Sequence, residues 1–502
     1  MSSLDTPDWL ARRAQLSPHR TAFVEVGTAA SHTFSKLEAR TNRWARWLAA
    51  TGVRPGDRIA VLAKNRLEYL EVFFACQKLG AILQNLNWRL NPGELAALVE
   101  DAEPRLLLTE AGFELDAIRA AQPGLPVFDL DGPEVASRAE ASADPMPPPP
   151  VGLDAPWVIC YTGGTTGLPK GALLTQGNIL FNAIQTVASW GLDEQDVAIL
   201  NAPLFHTGGL NVFTAPLVWA GGASLVCGGF DAGQVFDLVA RGASLFFGVP
   251  TMFQLLMAHP RWAEADLTRL KLVISGGAPC PAPIFDALFA KGVAFKTGYG
   301  LTEAGPNNFW LPEPMVRAKP GAVGRPLFLV QARLSDPDGG VITEPDRPGE
   351  LQLRGPHVVP GYWRRPNASA DLFTADGWLR TGDLAERDAD GDYRICGRIK
   401  DLIISGGENI YPAELESVLL GLPGVVEAAV IGAPDPRWGE VPWAVVVVDD
   451  PTVDAAAVVA HAEAHLARYK VPRKVHFVDA LPKTGAGKVD KRRLVEALVT
   501  DV

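Results

Sequence analysis

Paired cysteines are missing from this chain. Its five cysteines (Cys76, Cys160, Cys227, Cys280 and Cys396) are widely spaced, with no C-x-x-C and an odd total. That pattern excludes a disulfide framework and a cysteine zinc clamp, and it suits a reducing compartment. Excess basic charge is missing too. A net charge of -11 argues against a general nucleic-acid binder. No apolar run approaches the roughly 18 residues a membrane span needs, and even "AVVVVDD" is soon broken. No integral membrane association is expected. The opening "MSSLDTPDWLARRAQLSP" lacks the apolar stretch of a secretory signal, and the closing "LVTDV" is not a peroxisomal tail. A cytoplasmic location follows as the expectation. No internal repeat is present.

What is there is a long, ordinary globular composition. At 502 residues, 47% apolar and 21% charged, the chain exceeds one compact core, so two or more domains are expected. Short apolar runs alternate with helical patterns over most of the first 400 residues. "DRIAVLAKN" (57–65) predicts a buried strand, and "LEYLEVFFACQKLGAIL" (67–83) an amphipathic helix. "NPGELAALVEDA" (91–102) predicts a helix with Asn91 as N-cap, Pro92 at its first position and Glu94 closing a capping box. "PRLLLTE" (104–110) predicts another strand. Such alternation implies stacked βα units with mostly parallel sheets. The Pro-rich "SADPMPPPPVGLDAP" (142–156) is expected to be an extended connector. From about Lys400 the pattern becomes helix, strand, helix, strand: a small α+β domain. Its basic end (Arg468, Lys470, Arg473, Lys474, Lys483, Lys488, Lys491, Arg492, Arg493) reads equally as a solvated face or as a mobile lid facing phosphates.

Four segments run from a short apolar strand into a Gly-rich turn: "WVICYTGGTTG", "DVAILNAPLFHTGG", "KLVISGGAP" and "FKTGYGLTEAG". In open α/β sheets ligands gather where such loops leave the carboxyl ends of strands, so one shared site is expected. The first loop is the most telling. In Thr162-Gly163-Gly164-Thr165-Thr166-Gly167, glycines let N–H groups turn toward an anion and threonines add hydroxyl donors. Lys170 adds a cation. It does not follow Gly167 directly, as the Walker pattern would require. Taken alone, the loop is also readable as a flexible surface turn.

"YTGGTTGLPKG", "TGYGLTEAG", "GWLRTGDLA", "GRIKDLIISGGENIYPAELE" and "PKTGAGK" occur in an order and spacing that resembles the adenylate-forming acyl-CoA synthetase family over nearly the whole chain. The resemblance implies a large domain (1–399) of stacked βα subdomains that binds AMP and the acyl group. A small mobile α+β lid (400–502) would follow. It implies ATP, Mg²⁺ and coenzyme A as co-substrates of a carboxylic acid, and in such families a homodimer is common.

By matching residues, it implies that the first loop clamps the leaving β- and γ-phosphates. Gly277 and Ala278 would lie along the adenine edge. Tyr299, between Gly298 and Gly300, would stack on adenine. Thr302 would meet the α-phosphate, and Glu303 with Thr162 would hold Mg²⁺. Asp383 and Arg398 would take the ribose. Lys488 would bridge the attacking carboxylate and the α-phosphate. Lys400 would be the pivot about which the lid turns, withdrawing Lys488 and bringing in Gly406 and Gly407 to line a passage for the CoA thiol arm.

His206 stands where amino-acid-activating relatives place Asp, so it counts against an amino acid and is expected to orient the carboxylate or the thiol. Gly300 stands where acetate-specific relatives carry Trp and is expected to leave room for a larger acid. The loops expected to line the pocket (Phe205, Thr207, Gly208, Gly209, Ala278, Ala304, Gly305, Pro306) offer no Arg or Lys, which makes a second carboxylate less suited. Medium- or long-chain fatty acids and aromatic acids both remain. Three functions are open on this reading: an AMP-forming acyl-CoA ligase, an adenylating enzyme that loads a carrier protein, and a silent nucleotide sensor.

Overall fold

A computed structural model describes residues 7–147, 151–162, 169–484 and 488–499. Two largely parallel sheets organise the first three hundred residues. One runs, edge to edge, Val127–Asp129, Leu106–Thr109, Arg58–Leu62, Ile82–Asn85, Pro156–Thr162 and Lys170–Thr175. Its last pair is antiparallel, with Thr162 opposite Lys170. The other runs Phe295–Thr297, Leu272–Ser275, Leu245–Gly248, Val197–Leu200, Ala223–Val226, Thr21–Glu25 and Ala30–Thr33, parallel except for the final pair. Strands of this kind are apolar throughout because helices cover both faces, as in the fully buried Leu106–Thr109 and Leu272–Ser275.

The expected α/β architecture is present, with two differences from the residue-level reading. The predicted helix over 67–83 ends at Leu79. Gly80 takes a left-handed φ of 64° that stops it, and Ile82–Asn85 continues as a strand. A third sheet of seven strands, between Phe309 and Arg398, is antiparallel throughout. The helix Pro92–Ala102 has the expected Asn91–Glu94 capping box. In the connector, residues 148–150 lie outside the described residues, and no helix or strand lies between Glu140 and Pro156 among those described.

After Arg398 one short 3₁₀ turn, Ile399–Asp401, leads to a five-stranded sheet with the helices Pro412–Leu419, Ala455–His465 and Lys491–Leu498. The clusters of buried apolar residues before Ile395 and after Ile403 share no member, so this region has its own core. Its basic end is largely paired internally: Lys470 with Glu414, Lys483 with Glu427, Lys491 with Glu416, Arg492 with Glu496 and Arg493 with Asp490. Arg468, Arg473, Lys474 and Lys488 have no such ion pair among the described residues, and of these Lys488 lies near Asp383 and Glu303. Among the described residues no helix is long and apolar enough to cross a membrane.

Candidate active site

Three of the four predicted loops leave parallel strands of one sheet at their carboxyl ends. Val197–Leu200 leads to His206, Leu272–Ser275 to Gly277 and Ala278, and Phe295–Thr297 to Gly298-Tyr299-Gly300. The fourth has a different origin. It is the tip of the hairpin formed by Pro156–Thr162 and Lys170–Thr175. This supplies a physical reason for the missing Walker spacing: a Walker loop opens a helix, whereas this one returns along an antiparallel strand. Gly163, Gly164, Thr165, Thr166 and Gly167 lie outside the described residues. Thr162 and Lys170 face each other at the base, with the Thr162 hydroxyl 3.3 Å from the Lys170 carbonyl.

The strand Phe295–Thr297 ends in a turn that carries Thr302 and Glu303 on a single 3₁₀ turn, Thr302–Ala304. The turn is clamped from several sides. Asn308 donates from its backbone N–H to the Tyr299 carbonyl at 3.3 Å and from Nδ2 to the Gly305 carbonyl at 3.0 Å. Its Oδ1 lies 2.8 Å from Nε2 of the buried His357, and Val359 N–H donates to the Glu303 carbonyl at 2.9 Å. Glu303 is thereby held nearly buried. Its Oε1 accepts from the Tyr362 hydroxyl at 2.8 Å, with the Thr162 hydroxyl 3.5 Å away. Glu303 and Thr162 do meet, as the sequence predicted. An inward carboxylate beside a threonine hydroxyl is a donor set that fits Mg²⁺, which commonly takes one or two protein oxygens plus water and phosphate oxygens.

Asp383 and Arg398 are register partners on adjacent antiparallel strands. Arg398 Nε lies 3.1 Å from Asp383 Oδ1, and Tyr299 donates its hydroxyl to Asp383 Oδ2 at 2.6 Å. Burial pushes the Asp383 carboxyl up, and the Arg398 charge opposes that rise. A carboxylate can accept about four hydrogen bonds, so Asp383 keeps capacity for a diol. Tyr299 is a buried residue fixed through its hydroxyl, a contact the sequence did not announce.

His206 caps the short helix Thr207–Asn211. Its Nε2 is buried and has no hydrogen-bond partner among the described residues. Burial, helped by the positive charges of Lys488 and Arg89, lowers its pKa to about 4, so the ring is neutral at physiological pH. Lys488 enters the same cleft from the C-terminal region. Burial lowers its pKa, Arg398 and Lys400 lower it further, and Asp383 and Glu303 oppose them. The residue as a whole is nonetheless exposed.

Two observations bear on the surroundings of the expected acyl pocket. Gly300 has one open face, but a Cβ built there would sit 2.2 Å from the Pro306 carbonyl oxygen. The glycine permits the tight Tyr299–Pro306 turn, and no side chain fits there on this backbone. The pocket also has a cation that its loops do not supply. The Arg89 guanidinium lies 5.7 Å from the Phe205 ring centroid and 5.1 Å from that of Trp88. The Gly406-Gly407 pair forms the tip of the hairpin Ile403–Ser405 and Glu408–Ile410. Both φ values are positive, 61° and 88°, as a primed two-residue turn requires. No hydrogen bond or ion pair among the described residues joins that tip to the cleft. Tyr362, Arg89 and the His357–Asn308 pair were not anticipated. Only the "GY" of "PGYW" was a visible signal, and it has no meaning without its partners.

The AMP-binding enzyme family matches residues 10–363, and its C-terminal domain matches residues 414–488. A feruloyl-CoA synthase of Amycolatopsis sp is 44% identical over 96% of this chain and 97% of its own length. A long-chain-fatty-acid–CoA ligase of Mycobacterium tuberculosis is 37% identical over 97% of each. The o-succinylbenzoate coenzyme A synthetase of Bacillus subtilis, solved with ATP and a magnesium ion, superposes with a TM-score of 0.88 at 34% identity. It covers 99% of this chain and 100% of its own. With both family regions matched and the motif-bearing loops gathered around one cleft, the chain belongs to the AMP-binding enzyme family.

Proposed function

We propose that this protein is an AMP-forming acyl-CoA ligase. It joins a carboxylic acid to ATP, giving acyl-AMP and pyrophosphate, and then passes the acyl group to coenzyme A. The observation that carries this reading is the convergence on one cleft of Glu303, Asp383, Arg398, His206 and Lys488, drawn from chain positions 206 to 488. Glu303 and Thr162 would hold Mg²⁺, which when bound supplies charge neutralisation for the phosphates. Asp383 and Arg398 would take the ribose, Gly277, Ala278 and Tyr299 the adenine, Thr302 the α-phosphate, and the loop from Thr162 to Lys170 the departing pyrophosphate.

The ammonium of Lys488 offsets the repulsion between an incoming carboxylate and the α-phosphate. A neutral His206 orients the acid; a ring with a pKa near 4 is a poor base. For the second step the C-terminal domain (400–502) turns about Lys400 on the single 3₁₀ turn Ile399–Asp401. That removes Lys488 and brings the Gly406-Gly407 turn toward the thiol path.

An aryl acid is the favoured substrate class. Its support is the higher identity to the feruloyl-CoA synthase than to the long-chain ligase, together with the aromatic and guanidinium surface of Trp88, Phe205 and Arg89. A medium- or long-chain fatty acid is the second reading. Mass spectrometry of thioesters formed from a mixed acid panel with ATP and CoA tests both. Acyl-AMP without any thioester would refute the ligase and leave the carrier-loading alternative.

A further inference from the structure

Tyr362 belongs to none of the predicted loops, yet it lies between two of them. Its backbone is tied to the phosphate hairpin. Tyr362 bridges to Ala172, Trp363 N–H donates to the Gly171 carbonyl at 2.7 Å, and Leu173 N–H donates to the Gly361 carbonyl at 3.0 Å. Its own N–H donates to the Ser369 hydroxyl at 2.8 Å, so the residue is fixed on the large domain whatever the C-terminal domain does. From that seat the side chain makes two separate contacts. The hydroxyl donates to Glu303 Oε1 at 2.8 Å, and the ring carries the Lys170 ammonium 5.3 Å from its centroid. Among the described residues no hydrogen bond is donated to Glu303 Oε2.

These contacts have distinct consequences. A hydrogen bond to one carboxylate oxygen fixes the rotation of the group and turns the other oxygen toward the cleft. A cation over an aromatic face is held loosely enough to transfer to a phosphate when one arrives. From this geometry we infer that Tyr362 is a positioning residue for the metal and the leaving phosphates: its hydroxyl sets the Glu303 carboxylate and its ring parks Lys170. The inference rests on the assignment of Glu303 as magnesium ligand given above.

Tyr362→Phe deletes the hydroxyl and keeps the ring; Tyr362→Leu deletes both. The test uses the full chain and follows two readouts. One is the Mg²⁺ dependence of acid-dependent pyrophosphate–ATP exchange. The other is calorimetric binding of Mg·ATP and of AMP without acid. Tyr362→Phe should raise the Mg²⁺ concentration for half-maximal exchange by about tenfold, the worth of one hydrogen bond to a charged group, while AMP binding stays within about twofold. Tyr362→Leu should in addition weaken Mg·ATP binding at saturating Mg²⁺. In a Glu303→Gln background Tyr362→Phe should add nothing, because the hydroxyl acts through that carboxylate. An unchanged Mg²⁺ requirement in Tyr362→Phe, or equal weakening of AMP and Mg·ATP, would overturn the inference. A wild-type enzyme whose exchange needs neither acid nor Mg²⁺ would overturn the functional reading itself, and this inference with it.

Discussion

Replacing Lys488 by Ala should separate the two half-reactions. The ammonium stands in a cleft whose other charges are Arg398 and Lys400 on one side of the balance and Asp383 and Glu303 on the other. In the adenylation transition state an entering carboxylate oxygen and a five-coordinate phosphorus crowd negative charge into that space. Loss of one preorganised donor at such a centre costs about 2.7–4 kcal/mol, or about 10²–10³ in rate. The lower end applies here, because Lys488 is an exposed residue and is less preorganised than a fully enclosed donor. Acyl-AMP formation, followed by acid-dependent pyrophosphate–ATP exchange, should therefore fall about a hundredfold. Thioester formation from supplied acyl-AMP should change little, since the proposed rotation withdraws the lysine before that step.

A pH profile adds a second check. Burial lowers the Lys488 pKa from the ordinary lysine range, and only the charged form works. The kcat/KM for the first step should thus decline at lower pH than an ordinary lysine would dictate. Equal losses in both half-reactions would refute the departure of Lys488 between steps, and with it the rotation of the C-terminal domain.

Lys400→Pro should do the reverse. By stiffening the turn Ile399–Asp401 it should slow thioester formation most, which single-turnover transfer from acyl-AMP would reveal. Gly300→Ala should depress both half-reactions without narrowing the acid range, because its Cβ would strike the Pro306 backbone at 2.2 Å. A chain-length shift at full rate would refute the clash with Pro306. His357, buried with its pKa lowered to about 4, contributes stability that is present above the unfolded value of 6.5 and lost as pH falls toward 4. His357→Gln should flatten that slope by up to roughly 3 kcal/mol in denaturant titrations at pH 6.5 and 4. An unchanged slope would count against it.

The functional residues were legible where their chemistry demands a local spelling. "TGYGLTEAG" carries Thr302 and Glu303 on one turn, with Tyr299 just before it, because a short segment must present them together. Asp383 and Arg398 were named separately, yet pairing them needed the antiparallel register that sets one opposite the other. Gly300 shows a related dependence on the fold. A glycine in a motif says that a side chain is excluded, but what excludes it, here the Pro306 backbone, comes from the fold of the loop. Arg89 escaped notice because it is brought to Phe205 from more than a hundred positions away in the chain.

By itself the sequence determined the local grammar: the Asn91 capping box, the apolar strands, the family and the order of its motifs. These depend on neighbours a few residues apart, whose geometry the backbone sets directly. Tertiary structure alone decided the meetings. Tyr362 lies between Glu303 and Lys170, and Lys488 lies in a cleft built from the other domain. Lys296 is buried between the rings of Trp190 and Trp310, where its type would have placed it at the surface. Such contacts depend on distances between elements far apart in the chain, which packing sets and no short stretch of residues encodes.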